Sequence, residues 1–143
     1  MGNNQFKSNN KINYEDIQNV IKNPDKYLVI NTLHENQQDC LILNTINVNQ
    51  EEVLINKMIK TGNKDIKIII YGKNCNDEQI FKKHEQLALL GFYNIYIYSG
   101  GMFEWLLLQD IYGINEFPTT KKELDLLKYK PLQRINNHAL LEY

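Results

Sequence analysis

The most constraining stretch is Ile68-Ile69-Ile70-Tyr71, followed at once by Gly72 and a polar segment, Lys73 to Glu78. Three isoleucines and a tyrosine in a row leave no polar face. Such a run predicts a strand buried on both sides, as in the middle of a parallel sheet. A parallel strand needs a crossover to reach its neighbour, and the chain supplies one. Ile80, His84, Leu87 and Ala88 recur at helical spacing, Asn76 or Asp77 is available as N-cap, and Gly91 offers a left-handed stop. Ile95 to Tyr98 repeats the strand signal, and Gly100 with Gly101 marks a tight turn before a second helix beginning near Phe103. Residues 67–105 therefore form a βαβ unit with a helix at its exit.

The flanks read as support for that unit. Residues 1–11 are polar and are expected to be disordered. Asn13 is a good N-cap, with Asp16 three residues on and Ile12 facing Ile17 as a hydrophobic staple, so a helix should run to Lys22 before Asn23-Pro24 ends it. Tyr27 to Asn31 has strand composition. Glu51 to Lys60 reads as a sheet-covering helix that closes at Gly62, with acids at its start and a lysine at its end to match the helix dipole. After Trp105, the residues Leu106, Leu107, Leu108, Ile111 and Tyr112 offer more apolar surface than one side of a short helix requires. A cover is expected from the C-terminal segment or from a partner, a second copy in a homodimer included. Thr120 to Glu123 has the spacing of a capping box for a short helix through Lys128, with Leu124 and Leu127 on one face and Pro131 as the stop. The last dozen residues are mixed in character, and there is no internal repeat.

A chain of 143 residues is one domain in size. Its formal charge of -1 gives no electrostatic case for nucleic acid or an anionic membrane. Cys40 and Cys75 are too few for a disulfide scaffold or a zinc site, so neither metal nor cofactor is expected, and free thiols suit a reducing, cytoplasmic location. No segment reaches transmembrane length. Gly2 opens an acylation-like pattern, but Phe6 stands where that signal wants Ser or Thr. The abundance of Asn, Ile, Lys and Tyr is what an AT-rich coding sequence produces, so single asparagines are given no weight.

A loop between the carboxyl end of a parallel strand and a helix N-terminus turns several backbone N–H groups toward one point, a natural pocket for an anion or a thiolate. Here that loop comprises Gly72, Lys73, Asn74, Cys75, Asn76, Asp77 and Glu78. With IIIYGKNC before it, and Leu90-Gly91-Phe92, the strand Tyr93 to Tyr98, and Gly100, Gly101 and Trp105 after it, the chain resembles the rhodanese (sulfurtransferase) family. The resemblance implies an α/β fold over residues 12–118, with a central parallel sheet, helices on both faces, and a C-terminal helical arm over 119–143. It also implies a loop cysteine able to carry sulfane sulfur as a persulfide. Where the family usually has Asp-x-Arg after its first core strand, this chain has Asn31, Thr32 and Leu33, and Asp39 to Ile42 and Asn44 to Ile46 replace its Gly-His-Ile and Gly-Ala patterns.

Two counts place the cysteine differently. From the strand, the residue after Tyr71 is Gly72 and the nucleophile is gone; from Gly91, Cys75 lies 16 residues upstream (91 − 75), near the family's usual spacing. Asp77 and Glu78 beside the pocket raise a thiol's pKa and repel thiosulfate, phosphate or arsenate, and only Lys73 is basic nearby. The favoured expectation is a non-catalytic binding or regulatory module, its partner a protein or a small sulfur-containing anion. The alternative is thiosulfate-type sulfur transfer through a Cys75 persulfide, with the amides of residues 76–78 as cradle and Lys73 as anion guide. A phosphatase of the related dual-specificity type would need an arginine that this loop lacks. Elsewhere, Cys40 reads as a buried structural thiol, His84 as packed, Lys82 and Lys83 as a solvated face, and Phe103 and Trp105 as core. His34 and His138 have no partners in view.

Overall fold

The computed structural model describes residues 10–135. The expected disorder of the N-terminus lies outside these residues as far as residue 9, as do Gly2, Phe6, His138 and the end of the tail. Lys11 does not: Lys11–Ile12 is an edge strand, β1, so order begins earlier than the polar composition suggested.

A five-stranded, wholly parallel sheet forms the centre of the domain. Strands β2 (Tyr27–Asn31), β3 (Thr45–Ile46), β4 (Lys67–Tyr71) and β5 (Ile95–Tyr98) join β1 in the order β1-β5-β4-β2-β3. The run 68–71 is the central strand, pairing Leu28 to Ile68 and Asn31 to Tyr71 on one side, and Ile68 to Ile95 and Tyr71 to Tyr98 on the other. Because side chains alternate along a strand, this register sorts the apolar residues into two cores. Leu28, Ile30, Ile68, Ile70, Ile95 and Ile97 meet Ile55 of helix α2 (Val48–Thr61) and Ile80 and Leu87 of α3 (Gln79–Leu89). Val29, Ile69, Tyr71 and Tyr98 meet Ile17 and Val20 of α1 (Tyr14–Lys22), and Met102, Trp105 and Leu106 of α4 (Gly101–Tyr112). Two helices thus cover each face, as the α/β reading required.

Local signals set several boundaries. Asn13 Oδ1 accepts from Asp16 N at 3.1 Å while Asn13 N donates to Asp16 Oδ2 at 3.0 Å, a complete capping box. Gly62 closes α2 at φ 72°, and Gly91 follows α3 at φ 101°. Within α3, Ile80 and Leu87 are buried, whereas Ala88 is exposed. Phe103 is partly buried and Trp105 fully buried, stacked edge-on with Phe117 at 5.0 Å.

The C-terminal arm departs from expectation. In place of a capped α-helix from Thr120 to Lys128 there is one 3-10 turn, Leu126–Tyr129. Thr120 is engaged elsewhere: its N–H donates to Leu41 O, and its hydroxyl accepts from Leu41 N and donates to Asp39 O. Thr119 makes an antiparallel bridge to Ile42, and Trp105 Nε1 donates to Pro118 O at 3.1 Å. Long-range pairing therefore overrides the local cap signal. Leu124 and Leu127 stay exposed, and Tyr129 with Leu126 enters the core instead. The cover over α4 is partial: Leu106 is buried, while Leu107, Ile111 and Tyr112 remain exposed. Among the described residues, no helix is long and apolar enough to cross a membrane.

Gly101 holds the turn into α4 at φ 68°, and a Cβ there would stand 2.7 Å from Gly72 O and 3.0 Å from Asn74 N. Gly101→Ala is therefore expected to lose about 2–4 kcal/mol, from backbone strain plus overpacking. Gly62→Ala has the same sign of φ but nothing within 4 Å of the new Cβ, so it should lose only ~1 kcal/mol. Urea unfolding of both variants measures the difference, and equal losses would mean that the close approach to the loop contributes nothing.

Candidate functional site

The loop between β4 and α3 is built from its hydrogen bonds. Its carbonyls are taken by the start of α4, where Met102 N donates to Gly72 O at 2.9 Å and Phe103 N to Lys73 O at 3.0 Å. Two side chains of the loop itself take its amides. Asp77 Oδ2 accepts from Lys73 N at 3.0 Å and from the Thr32 hydroxyl at 3.0 Å, and Asp77 Oδ1 accepts from Gln79 N at 3.0 Å. Asn74 Oδ1 accepts from Asn76 N at 2.9 Å, and Asn74 O from Asp77 N at 3.2 Å. Asp77 was expected as a helix-start residue and does bond the first helical amide. Its other oxygen turns back into the loop, while Glu78 stands in the cap position without a side-chain cap bond.

This geometry bears on where a nucleophile could sit. A Cβ on Gly72 would come within 2.2 Å of Asp77 Oδ2 and 2.6 Å of Thr32 Oγ1. The carboxylate therefore fills the space that a side chain directly after β4 would need. Cys75 is exposed, and its thiol donates to Asn76 Oδ1 at 3.8 Å. Of the loop residues singled out from the sequence, Lys73, Asn74, Asn76, Asp77 and Glu78 line one cavity of about 750 Å³, and Gly72 and Cys75 lie outside its lining. The lining also includes Leu33 and His34, and Lys130, Leu132 and Arg134 of the C-terminal arm. His34 Nδ1 accepts from Asn36 N at 3.2 Å, so the histidine caps the turn after β2 rather than standing alone.

Two asparagines matter more than composition suggested. Asn31, in the place of the family's aspartate, is buried and paired face to face with Gln38: each side-chain amide nitrogen donates to the other's carbonyl oxygen, at 3.1 and 2.9 Å. Asn31 also donates to Ile46 O and accepts from Leu33 N, and Gln38 Oε1 accepts from Val48 N. A neutral amide pair thus braces β2 to β3 where the resemblance implied an aspartate and an arginine. Asn74 is buried beneath the arm and donates to Tyr129 O at 2.8 Å, which fixes the arm to the loop. Gln38 drew no notice in the sequence, and the spacing of seven residues from Asn31 is no recognised motif.

The remaining candidates fall into structural roles. Cys40 is buried, donates to Lys121 O at 3.2 Å, and has its thiol pKa pushed up by burial. His84 is half-buried, and desolvation lowers its pKa. Lys83 is not simply solvated: it pairs with Glu51, joining α3 to α2, whereas Lys82 is exposed.

The family model for a rhodanese-like domain matches residues 10–108. The chain belongs to the rhodanese-like family. Solved structures agree on the fold. The BH2092 protein of Bacillus halodurans is 20% identical, with 91% of this chain and 88% of that one covered at a TM-score of 0.56. The As-Sb reductase of Leishmania major is 18% identical, with 93% and 98% covered at 0.53. The single-domain sulfurtransferase RDL2 of Saccharomyces cerevisiae is 23% identical, with 72% and 93% covered at 0.50. No curated protein matches the sequence. At these identities the likeness carries the rhodanese-like fold and not its chemistry.

Two predictions test the site. Asp77→Ala leaves the Lys73 and Gln79 amides and the Thr32 hydroxyl without their acceptor, and about 1–3 kcal/mol of stability should go with it. Hydrogen exchange should speed up at those two amides first, and unchanged protection would mean that the carboxylate does not hold the loop. With a thiol-alkylating reagent at neutral pH, the exposed Cys75 should be modified rapidly and Cys40 only on unfolding; equal rates would contradict the burial of Cys40.

Proposed function

We propose that this protein is a non-catalytic rhodanese-like domain, a binding or regulatory module that keeps the family's loop but not its sulfur chemistry. The observation that carries this is the Asp77 carboxylate, held by Thr32, Lys73 N and Gln79 N and lying 2.2 Å from where a Cβ on Gly72 would be. A rhodanese-type reaction needs a thiolate and an incoming sulfane anion at the focus of the loop amides. A fixed negative charge at that focus repels both. Cys75 lies outside the cavity lining, and its thiol donates to the Asn76 side-chain oxygen rather than facing the loop's bound carboxylate. The absence of the Asp-x-Arg pattern, with Asn31 and Leu33 in its charged positions and Asn31 paired with the neutral Gln38, supports the same reading.

Intact-mass spectrometry after incubation with thiosulfate and other sulfane donors tests the proposal. The reduced protein is expected to gain no cyanide-removable sulfur. An adduct formed by the natural protein and by Cys40→Ser, but absent from Cys75→Ser, would overturn it and make the domain a sulfurtransferase with an acidic loop.

A further inference from the structure

We infer that the cleft between the Gly72–Glu78 loop and the C-terminal arm is a binding site for a small organic polyanion, a phosphate or carboxylate compound carrying at least two negative charges. The inference rests on the non-catalytic reading of the loop and names what the same cleft would hold. Its volume of about 750 Å³ is within the range of small-molecule sites and far beyond the need of a single sulfur oxyanion.

The charges on its walls decide the ligand class. Lys73 comes from the loop, and Lys130 and Arg134 from the arm. Both ion pairs among the described residues lie elsewhere, Lys83 with Glu51 and Lys128 with Glu123, so none of these three cations is paired with a carboxylate of the described residues. Two carboxylates also line the cleft. Asp77 is engaged by three donors of the protein, and Glu78 is exposed. The amide focus that would cradle one small anion is thus already filled, and attraction must come from side-chain cations contributed by two segments far apart in sequence, the loop and the arm. A ligand that bridges them needs more than one charge, while Leu33 and Leu132 give its spacer apolar contact.

The walls are held in register before any ligand arrives. Asn74 Nδ2 donates to Tyr129 O at 2.8 Å, and Tyr129 is buried in the core, so each partner of this clamp has a lining lysine as its chain neighbour, Lys73 and Lys130. Only the side chains need ordering on binding, which keeps the entropic loss small.

Isothermal titration of the full chain with tripolyphosphate, citrate and sulfate, at low and raised salt, tests this. Tripolyphosphate and citrate should bind at low salt, more tightly than sulfate, and weaken as salt rises. Arg134→Gln and Lys130→Gln, both at exposed positions, should each weaken binding about three- to tenfold, as for loss of one partly exposed charge-assisted contact. Lys60→Gln, at the far end of α2, should change nothing. Absence of binding at low salt, equal binding by the arm variants, sulfate binding as tightly as the larger anions, or binding of an oligoglutamate peptide alone would each overturn the inference. Sulfur adducts measured on the same samples keep the outcomes apart: a Cys75 adduct strikes at the non-catalytic reading, whereas loss of the arm dependence strikes only at the polyanion site.

Discussion

Backbone N–H groups gathered at the end of a parallel strand create a positive focus, and in this domain the Asp77 carboxylate answers it. One oxygen meets Lys73 N and the Thr32 hydroxyl, the other Gln79 N, each at 3.0 Å. The contact ties the tip of β2 to the loop after β4 and to the start of α3. Two of these bonds are partly buried, so removing the carboxylate would cost more there than at a fully solvated contact, and the loop conformation and the carboxylate support each other. With an internal anion in place, the loop needs no external one to be complete.

The rest of the site follows from how that loop is held on its other sides. The first amides of α4 take the carbonyls of Gly72 and Lys73, which demands that the helix start lie against the loop backbone. Only a residue without a Cβ permits that approach, and Gly101 provides it at a positive φ. Beneath the arm, Asn74 bonds Tyr129 O, so the C-terminal extension is locked to the same loop. Three independent elements, β2, α4 and the arm, therefore converge on seven residues. The arm brings Lys130, Leu132 and Arg134 to the cleft, and it gets there because residues 118–120 pair with residues 41–43 rather than forming a helix.

Much of the fold was legible because the signals that specify it are short-range. Ile68 to Tyr71 could only be a central strand, and Asn13 with Asp16, Gly62 and Gly91 set helix ends through bonds within a few residues. The site was less legible because its decisive contacts are distant in sequence. Thr32 and Asp77 are 45 residues apart, and Asn74 and Tyr129 are 55 apart. The capping-box spacing at Thr120 pointed to a helix that never forms, because Leu41 and Asp39 bind the same threonine from the other side of the domain. Composition gave single asparagines no weight, yet Asn31 and Asn74 are both buried with their side-chain donor and acceptor groups engaged. Composition sets how many asparagines a chain has, but burial selects which of them carry structure.

The replacement of charge by neutral amides links these observations. An aspartate and an arginine bracing the end of β2 would place ions next to the loop. Asn31 instead makes four neutral contacts, two of them with Gln38, and adds no net charge. With that ion pair gone, the electrostatics at the mouth are set by Asp77 and Glu78 on the loop, by Lys73, and by the arm's lysine and arginine. Their balance depends on geometry rather than on count, because a carboxylate already bound by three donors attracts a ligand's counter-charges less than an unpaired one.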